Sequence, residues 1–559
     1  MNPRSKPFDP ITLEIVHNAL RSVVDESFIA LMKSAYSTNI KERHDHSTAL
    51  MDRNGRLVAQ AANSLPIHLS SIMGMMGVVM RKYRPGELEP GDIMVGNDPY
   101  DAGGTHLPDV GLVMPVFIAG RHIGFVANIA HHADMGGMAP GSMAGGMTEI
   151  YQEGLRIPVI KLFRRGELVQ DVFDLLLLNQ RLPHERRGDY FAQVAACRLG
   201  ERRMHELAQT YPPDVLEDAF DDIIRRTEER LRGAFATIKP GVYEFEDLID
   251  DDGLDARDLP IKVRIEVADK RICLDFTGSS AQVPGNINCT LNATQASVTY
   301  TLKALLDPEL SNNQGVLSSI DIVAPLGSLL NCSFPASTAA RAQVCQRIVD
   351  VIIGALAPAI PKLVVGAANG ANTTAVFCGN DPRTGRSYIY LETVGGGFGG
   401  RAAKDGKDGV QVHITNTSNL PVESIESEYP LIVESYSLVE DSGGAGRYRG
   451  GLGLRRVITP VGHESVFSGH GERFRHVPWG IFGGKEGTSG RFMLQRADGT
   501  LEVQNPKPLG VKFGPGERIV IITPGAGGYG AAHERHPESI ETDRRSGKFT
   551  AAYIERNYG

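Results

Sequence analysis

Long hydrophobic runs are missing from this 559-residue chain. A membrane-spanning helix needs about 18–20 consecutive apolar residues. The nearest approach, Ile348 to Ile360, is shorter and carries Asp350 and Pro358, so no membrane span is expected. Cysteine is scarce: six residues, at 197, 273, 289, 332, 345 and 378, with no C-x-x-C and no close spacing. That pattern offers no disulfide framework and points to reduced thiols in a cytoplasmic protein. Positive charge is in deficit, with 58 Lys+Arg against 66 Asp+Glu and a formal net charge of −8. Without a long basic block the chain has no general attraction for a phosphate backbone, and nucleic acid is not an expected partner. No G-x-x-x-x-G-K-[ST] phosphate loop occurs, and no G-x-S-x-G elbow surrounds Ser337, Thr338 or Cys345.

Glycine is abundant instead, at 63 of 559 residues, where roughly 7% is ordinary. The glycines follow no period and hydrophobic residues make up 42% of the chain. A folded protein with tight backbone geometry in its loops is expected, not a collagen or a disordered chain.

The elements follow from periodicity. Asp9-Pro10 followed by Val16, Leu20, Val23, Val24, Phe28 and Leu31 predicts a capped amphipathic helix. Glu14, Asp25 and Glu26 interrupt any leader-like apolar region. Thr48–Asp52, a turn at Asn54-Gly55 and Arg56–Gln60 read as a hairpin. Ser70–Tyr83 reads as a Met-rich helix, and Ile93–Val95, Val110–Ile118 and His122–Ile129 read as strands. Residues 184–235 are helical, split by Pro212-Pro213, with charged clusters such as Glu185-Arg186-Arg187 taken as solvated faces. A period of two begins near Gly241, helices follow near 291–306 and 337–357, and short strands with glycine turns fill the last third. The fold class is α+β and multi-domain: an N-terminal metal-site unit (1–235), a central hairpin–helix unit (236–360) and a glycine-rich, mostly β unit with a charged tail (361–559).

Seven of the 16 histidines (44, 46, 68, 106, 122, 131 and 132) fall within one stretch of the N-terminal unit. Three loops pair histidine with aspartate: His44-Asp45-His46, His106-Leu-Pro-Asp109 and His131-His132-Ala-Asp134. Gly103-Gly104 and Pro108 keep the second from being a helix. Any one of these histidines alone reads as a satisfied turn or core residue. Three separate loops of this kind read as a metal site, because imidazole with carboxylate suits Zn, Mn or Fe(II). Successive strand residues point to opposite faces, so only one of His131 and His132 is expected to coordinate.

These segments resemble the hydantoinase B family, which includes the B subunits of ATP-dependent hydantoinases, oxoprolinases and lactamases and is related to the α subunits of acetone carboxylases. The resemblance rests on Asn39-Ile-Lys-Glu-Arg-His-Asp45, Gly55-Arg-Leu-Val-Ala-Gln60, Pro66-Ile-His-Leu69 and Asn97-Asp-Pro-Tyr100. It continues through Gly103-Gly-Thr-His-Leu-Pro-Asp109, His131-His-Ala-Asp-Met-Gly-Gly137, Gly395-Gly-Gly-Phe-Gly-Gly-Arg401, Tyr448-Arg-Gly-Gly-Leu-Gly453 and the Gly525–Gly530 loop.

The resemblance implies one divalent metal held by Asp45, His106, Asp109 and His131, with His132 and Asp134 as acid–base candidates and His46 as an extra ligand or a neighbour. It implies a partner A subunit that uses ATP to phosphorylate the carbonyl oxygen of a small cyclic amide. The B subunit would then open the ring by metal-assisted hydrolysis, in a hetero-oligomer. A carboxylase role of the acetone carboxylase type, or a scaffold with a structural metal, are the alternatives. Gly395–Gly400 and Gly525–Gly530 both satisfy G-x-G-x-x-G, but neither opens an evident helix of a βαβ unit. They are expected to line the metal pocket or the partner contact.

Overall fold

The Asp9 carboxylate accepts the Thr12 amide at 2.9 Å and Pro10 enters the first turn, so helix α1 spans Pro10–Ser34 with its apolar stripe buried. A computed structural model describes residues 8–84, 86–268 and 270–559; the first seven residues assigned to the N-terminal unit lie outside them. After α2 (Thr38–Lys41), strands β1 (His46–Asp52) and β2 (Leu57–Gln60) form the expected hairpin, with Gly55 at φ 76° in its turn. Helix α3 (His68–Lys82) follows. Strands β3 (Ile93–Gly96), β4 (Asp109–Ile118), β5 (Arg121–His131), β6 (Ile160–Arg164) and β7 (Glu167–Leu168) complete an antiparallel sheet ordered β2-β1-β5-β4-β3-β6-β7.

Helices α4 (Gln170–Leu178), α5 (Pro183–Thr210) and α6 (Pro213–Phe235) come next. The sheet is covered on both faces, and β5 shows why. Val126 packs with the α1 and α6 side chains, whereas Phe125, Ala127 and Ile129 pack with the α3 methionines. The alternation places His131 on the α3 face and His132 on the α5 face.

Further along the chain β8 (Gly241–Asp251), β9 (Arg257–Ala268), β10 (Arg271–Asp275) and β11 (Ile320–Val323) form a sheet ordered β11-β10-β9-β8, with only the β10–β11 pair parallel. Helices α7 (Leu291–Leu306), α8 (Gln314–Leu317) and α9 (Ala342–Leu356) accompany it. Every residue of α9 is buried. Its charges are matched: Arg347 lies 3.1 Å from both Asp247 and Glu472, and Asp350 lies 2.6 Å from Arg473. The longest apolar run is thus a core helix. No helix among the described residues is long and apolar enough to cross a membrane. The helix expected from residue 337 starts at Ala342 instead. Its intended first turn is held by the buried Glu153 carboxylate, which accepts the Ser337 hydroxyl and the Thr338 and Ala339 amides.

The last third contains β12 (Thr373–Asn380), β13 (Ser387–Val394), α10 (Val422–Glu428), β14 (Leu431–Leu438), β15 (Leu454–Pro460), β16 (Ser465–His470), β17 (Arg491–Gln495), β18 (Leu501–Val503), β19 (Val511–Phe513) and β20 (Arg518–Ile522). They form sheets ordered β13-β12-β16-β19 and β14-β15-β20-β17-β18. The charged tail folds into α11 (Pro537–Ser546) and α12 (Ala551–Tyr558). The mixed α+β, multi-sheet class is as expected.

Two expectations are corrected. Arg186 does not belong to a solvated face: it is fully buried on α5, paired with Glu185 and, at 3.1 Å, with Asp189. The glycine loops do not line the metal cavity; they pack on one another. Gly397 donates to the Pro524 carbonyl at 3.1 Å, Gly400 to Gly527 at 2.9 Å, Gly451 to Phe398 at 2.9 Å and Ala526 to Gly451 at 3.0 Å. A Cβ on Gly399 would sit 1.8 Å from the Gly366 carbonyl oxygen, and one on Gly450 1.9 Å from that of Ala526. The segments approach so closely that only backbone fits between them.

Candidate metal centre

β4 begins and β5 ends on the same rung, with Asp109 and His131 as register partners. The glycine-bearing loop before β4 brings in His106. The ligand atoms of His106, Asp109 and His131 lie within 4.8 Å of one another, and all three residues are buried. Asp45, from the loop before β1, lines the same cavity but stands outside that three-residue group; His44 takes a left-handed φ of 58°, and the Asp45 carbonyl accepts the His131 amide at 3.0 Å. The cavity these residues share with His68 and Asn372 has a volume of about 30 Å³, the scale of one ion or water.

Each donor is oriented. His106 Nδ1 lies 3.0 Å from the Ala339 carbonyl oxygen, which can only accept, so Nδ1 carries the proton and Nε2 turns its lone pair inward. That Nε2 is 3.2 Å from Asp109 Oδ1. Both atoms are buried and neither has a hydrogen-bond partner among the described residues. Buried polar atoms left in this way cost about 1–3 kcal/mol each, and two lone-pair donors aimed at one spot fit a divalent cation. The other Asp109 oxygen accepts Arg341 at 2.8 Å. Burial pushes the Asp109 carboxyl up, but His106, His68 and Arg341 outweigh it and hold it well below the usual carboxylate range. Burial pushes His106 and His131 down, keeping both imidazoles neutral, as a metal requires. At Asp45 burial prevails over Arg43 and His68 and pushes the carboxyl up.

The remaining sequence candidates lie elsewhere. His132 does not face the cavity: its Nε2 meets Gln193 of α5 at 3.0 Å and its ring packs on Tyr190. Burial, reinforced by Arg186, pushes its pKa down. Asp134 clamps its own loop, accepting the Gly136 and Gly141 amides at 3.1 and 3.0 Å and the Arg181 guanidinium at 2.8 Å. His46 stacks on Phe28 of α1, on the far face of the sheet. Strand alternation separates His46 and His132 from the cavity, and loop hydrogen bonding removes Asp134.

Sequence reasoning missed His68, Arg341, Arg43 and Asn372. His68 opens α3 with Nδ1 2.8 Å from Ser47 Oγ and Nε2 3.4 Å from Asp109 and 3.9 Å from Asp45. It lies within a quoted motif, Pro66–Leu69, but with no acidic neighbour to flag it. Arg341 immediately precedes the buried helix α9, a position where an unpaired charge cannot be buried. Arg43 ties the Asp45 loop to β13 through the Leu391 carbonyl and Thr393. Asn372 sits at φ 41° with a buried, unpartnered Oδ1.

The hydantoinase B/oxoprolinase family model matches residues 9–532. An uncharacterized protein of Methanocaldococcus jannaschii is 37% identical over 98% of this chain and 96% of its own length. The caprolactamase subunit beta of Pseudomonas jessenii is 30% identical over 99% of this chain and 96% of its own. The crystal structure of the ATP-dependent caprolactamase from that organism superposes with a TM-score of 0.92 at 28% identity, covering 99% of this chain and 96% of that one. Acetone carboxylase shares the fold, with a TM-score of 0.91 at 18% identity over 98% of this chain and 79% of its own.

Proposed function

This chain belongs to the hydantoinase B/oxoprolinase family, and from that premise we propose that it is the metal-dependent hydrolytic subunit of a two-component, ATP-dependent cyclic amide hydrolase. The observation that carries the reading is the pair of buried, unpartnered atoms, His106 Nε2 and Asp109 Oδ1, turned toward one small cavity. Asp45, His106, Asp109 and His131 would hold the ion, with His68 as a fifth donor. A divalent zinc, manganese or iron ion in that position supplies Lewis acidity and makes water a competent nucleophile near neutral pH.

The chain's own residues do the rest. Ala339 fixes the His106 tautomer, and Arg341 fixes Asp109 in the charged form. Ser47, 2.8 Å from Nδ1, holds His68 so that Nε2 lies between the Asp109 and Asp45 carboxylates, where a fifth donor would reach the ion. His132 and Asp134, outside the cavity, keep the end of β5 and the following loop in place.

An amide carbonyl is deactivated by its nitrogen, so ring opening needs prior activation, assigned here to an ATPase-like A subunit. The subunit designation and the ATP dependence of the Pseudomonas jessenii relative support that division. Six free thiols, among them Cys289 and Cys345 with sulfurs 3.8 Å apart and unbonded, support a reducing, cytoplasmic setting.

The test is reconstitution with an A-type partner, scoring ATP consumption and ring-opened product for hydantoin, 5-oxoproline and a lactam. Activity is expected to follow bound divalent metal and to vanish in a His106→Ala, Asp109→Asn protein. Full ATP-dependent ring opening by that metal-free variant overturns the reading.

A further inference from the structure

Glu153 is wholly buried, lies outside the metal cavity and makes no ion pair among the described residues. Its segment, 149–153, runs beside 335–339, with the Ile150 amide donating to the Pro335 carbonyl at 2.9 Å. Around Glu153 the Gln152 carbonyl accepts the Met138 amide and the Leu155 amide donates to the Met135 carbonyl, both at 2.8 Å. The residue is thus tied to the loop that follows His131 and His132. One carboxyl oxygen, Oε1, then accepts the Ser337 hydroxyl at 2.5 Å, the Thr338 amide, and the Ala339 amide at 2.8 Å.

What those residues carry is the metal centre. Ala339 gives its amide to Glu153, and its carbonyl accepts His106 Nδ1 at 3.0 Å. Two residues on, Arg341 reaches Asp109 at 2.8 Å. Ser337 to Arg341 are all buried. The segment has other anchors: Asn288 Nδ2 donates to the Ser337 carbonyl at 3.0 Å, and the Asn286 carbonyl accepts the Ala340 amide at 2.8 Å. Neither takes the Thr338 or Ala339 amide. Without Glu153 those two buried donors lose their acceptor, and the backbone must turn to find another.

The residue type adds to this. Oε2 is buried with no hydrogen-bond partner among the described residues. The guanidinium that acts on the carboxyl, Arg341, is itself committed to Thr105 and Asp109. A buried carboxyl with no counter-ion of its own is costly, and packing alone gives no reason to keep one there.

We infer that Glu153 is a positioning residue for the metal centre: by holding 337–339 it sets the carbonyl that orients His106 and the approach of Arg341 to Asp109. The inference rests on the metal reading above and adds to it a residue that touches neither ion nor substrate.

Cobalt(II), whose visible bands report ligand geometry, is titrated into the full chain stripped of metal, and competition with a chelator gives its affinity. Glu153→Gln keeps an oxygen for the three donors and should leave affinity and bands as in the wild type. Glu153→Leu, of similar size but without an acceptor, should lower the affinity about 10–100-fold, as losses behind a metal ligand do, and shift the bands. If the leucine protein fails to fold, Glu153→Asp, which draws the carboxyl back from 337–339, should move both readouts the same way. A merely structural Glu153 would lower the melting midpoint while the folded protein bound cobalt with wild-type affinity and bands. That result, or equal losses in the glutamine and leucine proteins, overturns the inference and leaves the metal reading intact. A wild-type chain that binds no cobalt overturns the metal reading itself, and this inference with it.

Discussion

Asp109 and Arg341 are 232 residues apart in sequence and 2.8 Å apart in space. The guanidinium also reaches Thr105 Oγ1, at 3.2 Å from Nε and 3.1 Å from its terminal nitrogen. The contact leaves one Asp109 oxygen committed and the other open to the cavity. It also ties the start of α9, a wholly buried helix, to the first rung of β4. The metal site is therefore a joint between two sheets of the chain.

Arg341→Lys keeps the charge but loses the fork that holds Thr105 and Asp109 together. Metal affinity is expected to fall about 10–100-fold, as for other residues that orient ligands, with the far-UV spectrum unchanged. Competition with a fluorescent chelator measures it, and unchanged affinity would show that Arg341 serves only to dock α9.

The two histidines on opposite faces of the sheet should separate cleanly. His68→Ala is expected to lower metal occupancy while the melting midpoint moves little. His132→Ala removes the partner of Gln193 and should destabilise the fold by about 1–3 kcal/mol with metal occupancy retained. Metal analysis and thermal melting of the same two preparations decide it; the reverse pattern would exchange their roles.

Those two residues mark how far local sequence reaches. Helices, hairpin and strands with a clear period of 3.6 or two lie where periodicity places them. The same alternation requires that only one of His131 and His132 face the cavity. His68 and Arg341 carry no local mark, because what makes them site residues is tertiary: one stands at the first position of α3 beside the sheet, the other arrives from just before α9. Arg186 reads as solvated for the same reason, since its burial depends on packing that no window of sequence contains. Asp134 lies in the right motif, but the amides of Gly136 and Gly141 claim it first.

Glu153 offers a pH dependence with a definite sign. Burial pushes its carboxyl up to about 7 despite hydrogen bonds from Ser337, Thr338 and Ala339. An unfolded glutamate titrates near 4.3. Between about pH 4.3 and 7 the folded chain keeps a proton that the unfolded chain has released, so stability falls as pH rises through that window and levels off above it. Glu153→Gln cannot lose a proton there. Its melting midpoint relative to wild type should therefore rise across the window, and a difference that stays flat refutes the assignment.

Glycine substitutions should split by environment. Gly233 lies within α6 with open space around its missing side chain, so Gly233→Ala is expected to stabilise by about 0.5–1 kcal/mol. At Gly451 a Cβ would stand 1.8 Å from the Lys407 carbonyl oxygen, and Gly451→Ala should destabilise by about 3 kcal/mol or more. Denaturant melts of the two proteins, made side by side, provide the comparison.

The interlocked glycine segments also dictate when this protein can finish folding. Gly400 waits for Gly527, Gly397 for Pro524 and Gly451 for Ala526, so a ribosome must deliver the last of these residues before the earlier ones find their hydrogen-bond partners. Contacts of such long sequence separation form slowly. Until they close, the nascent chain exposes rows of bare amides and carbonyls with few side chains to shield them, and that interval is when a chaperone or an assembly partner has most to protect.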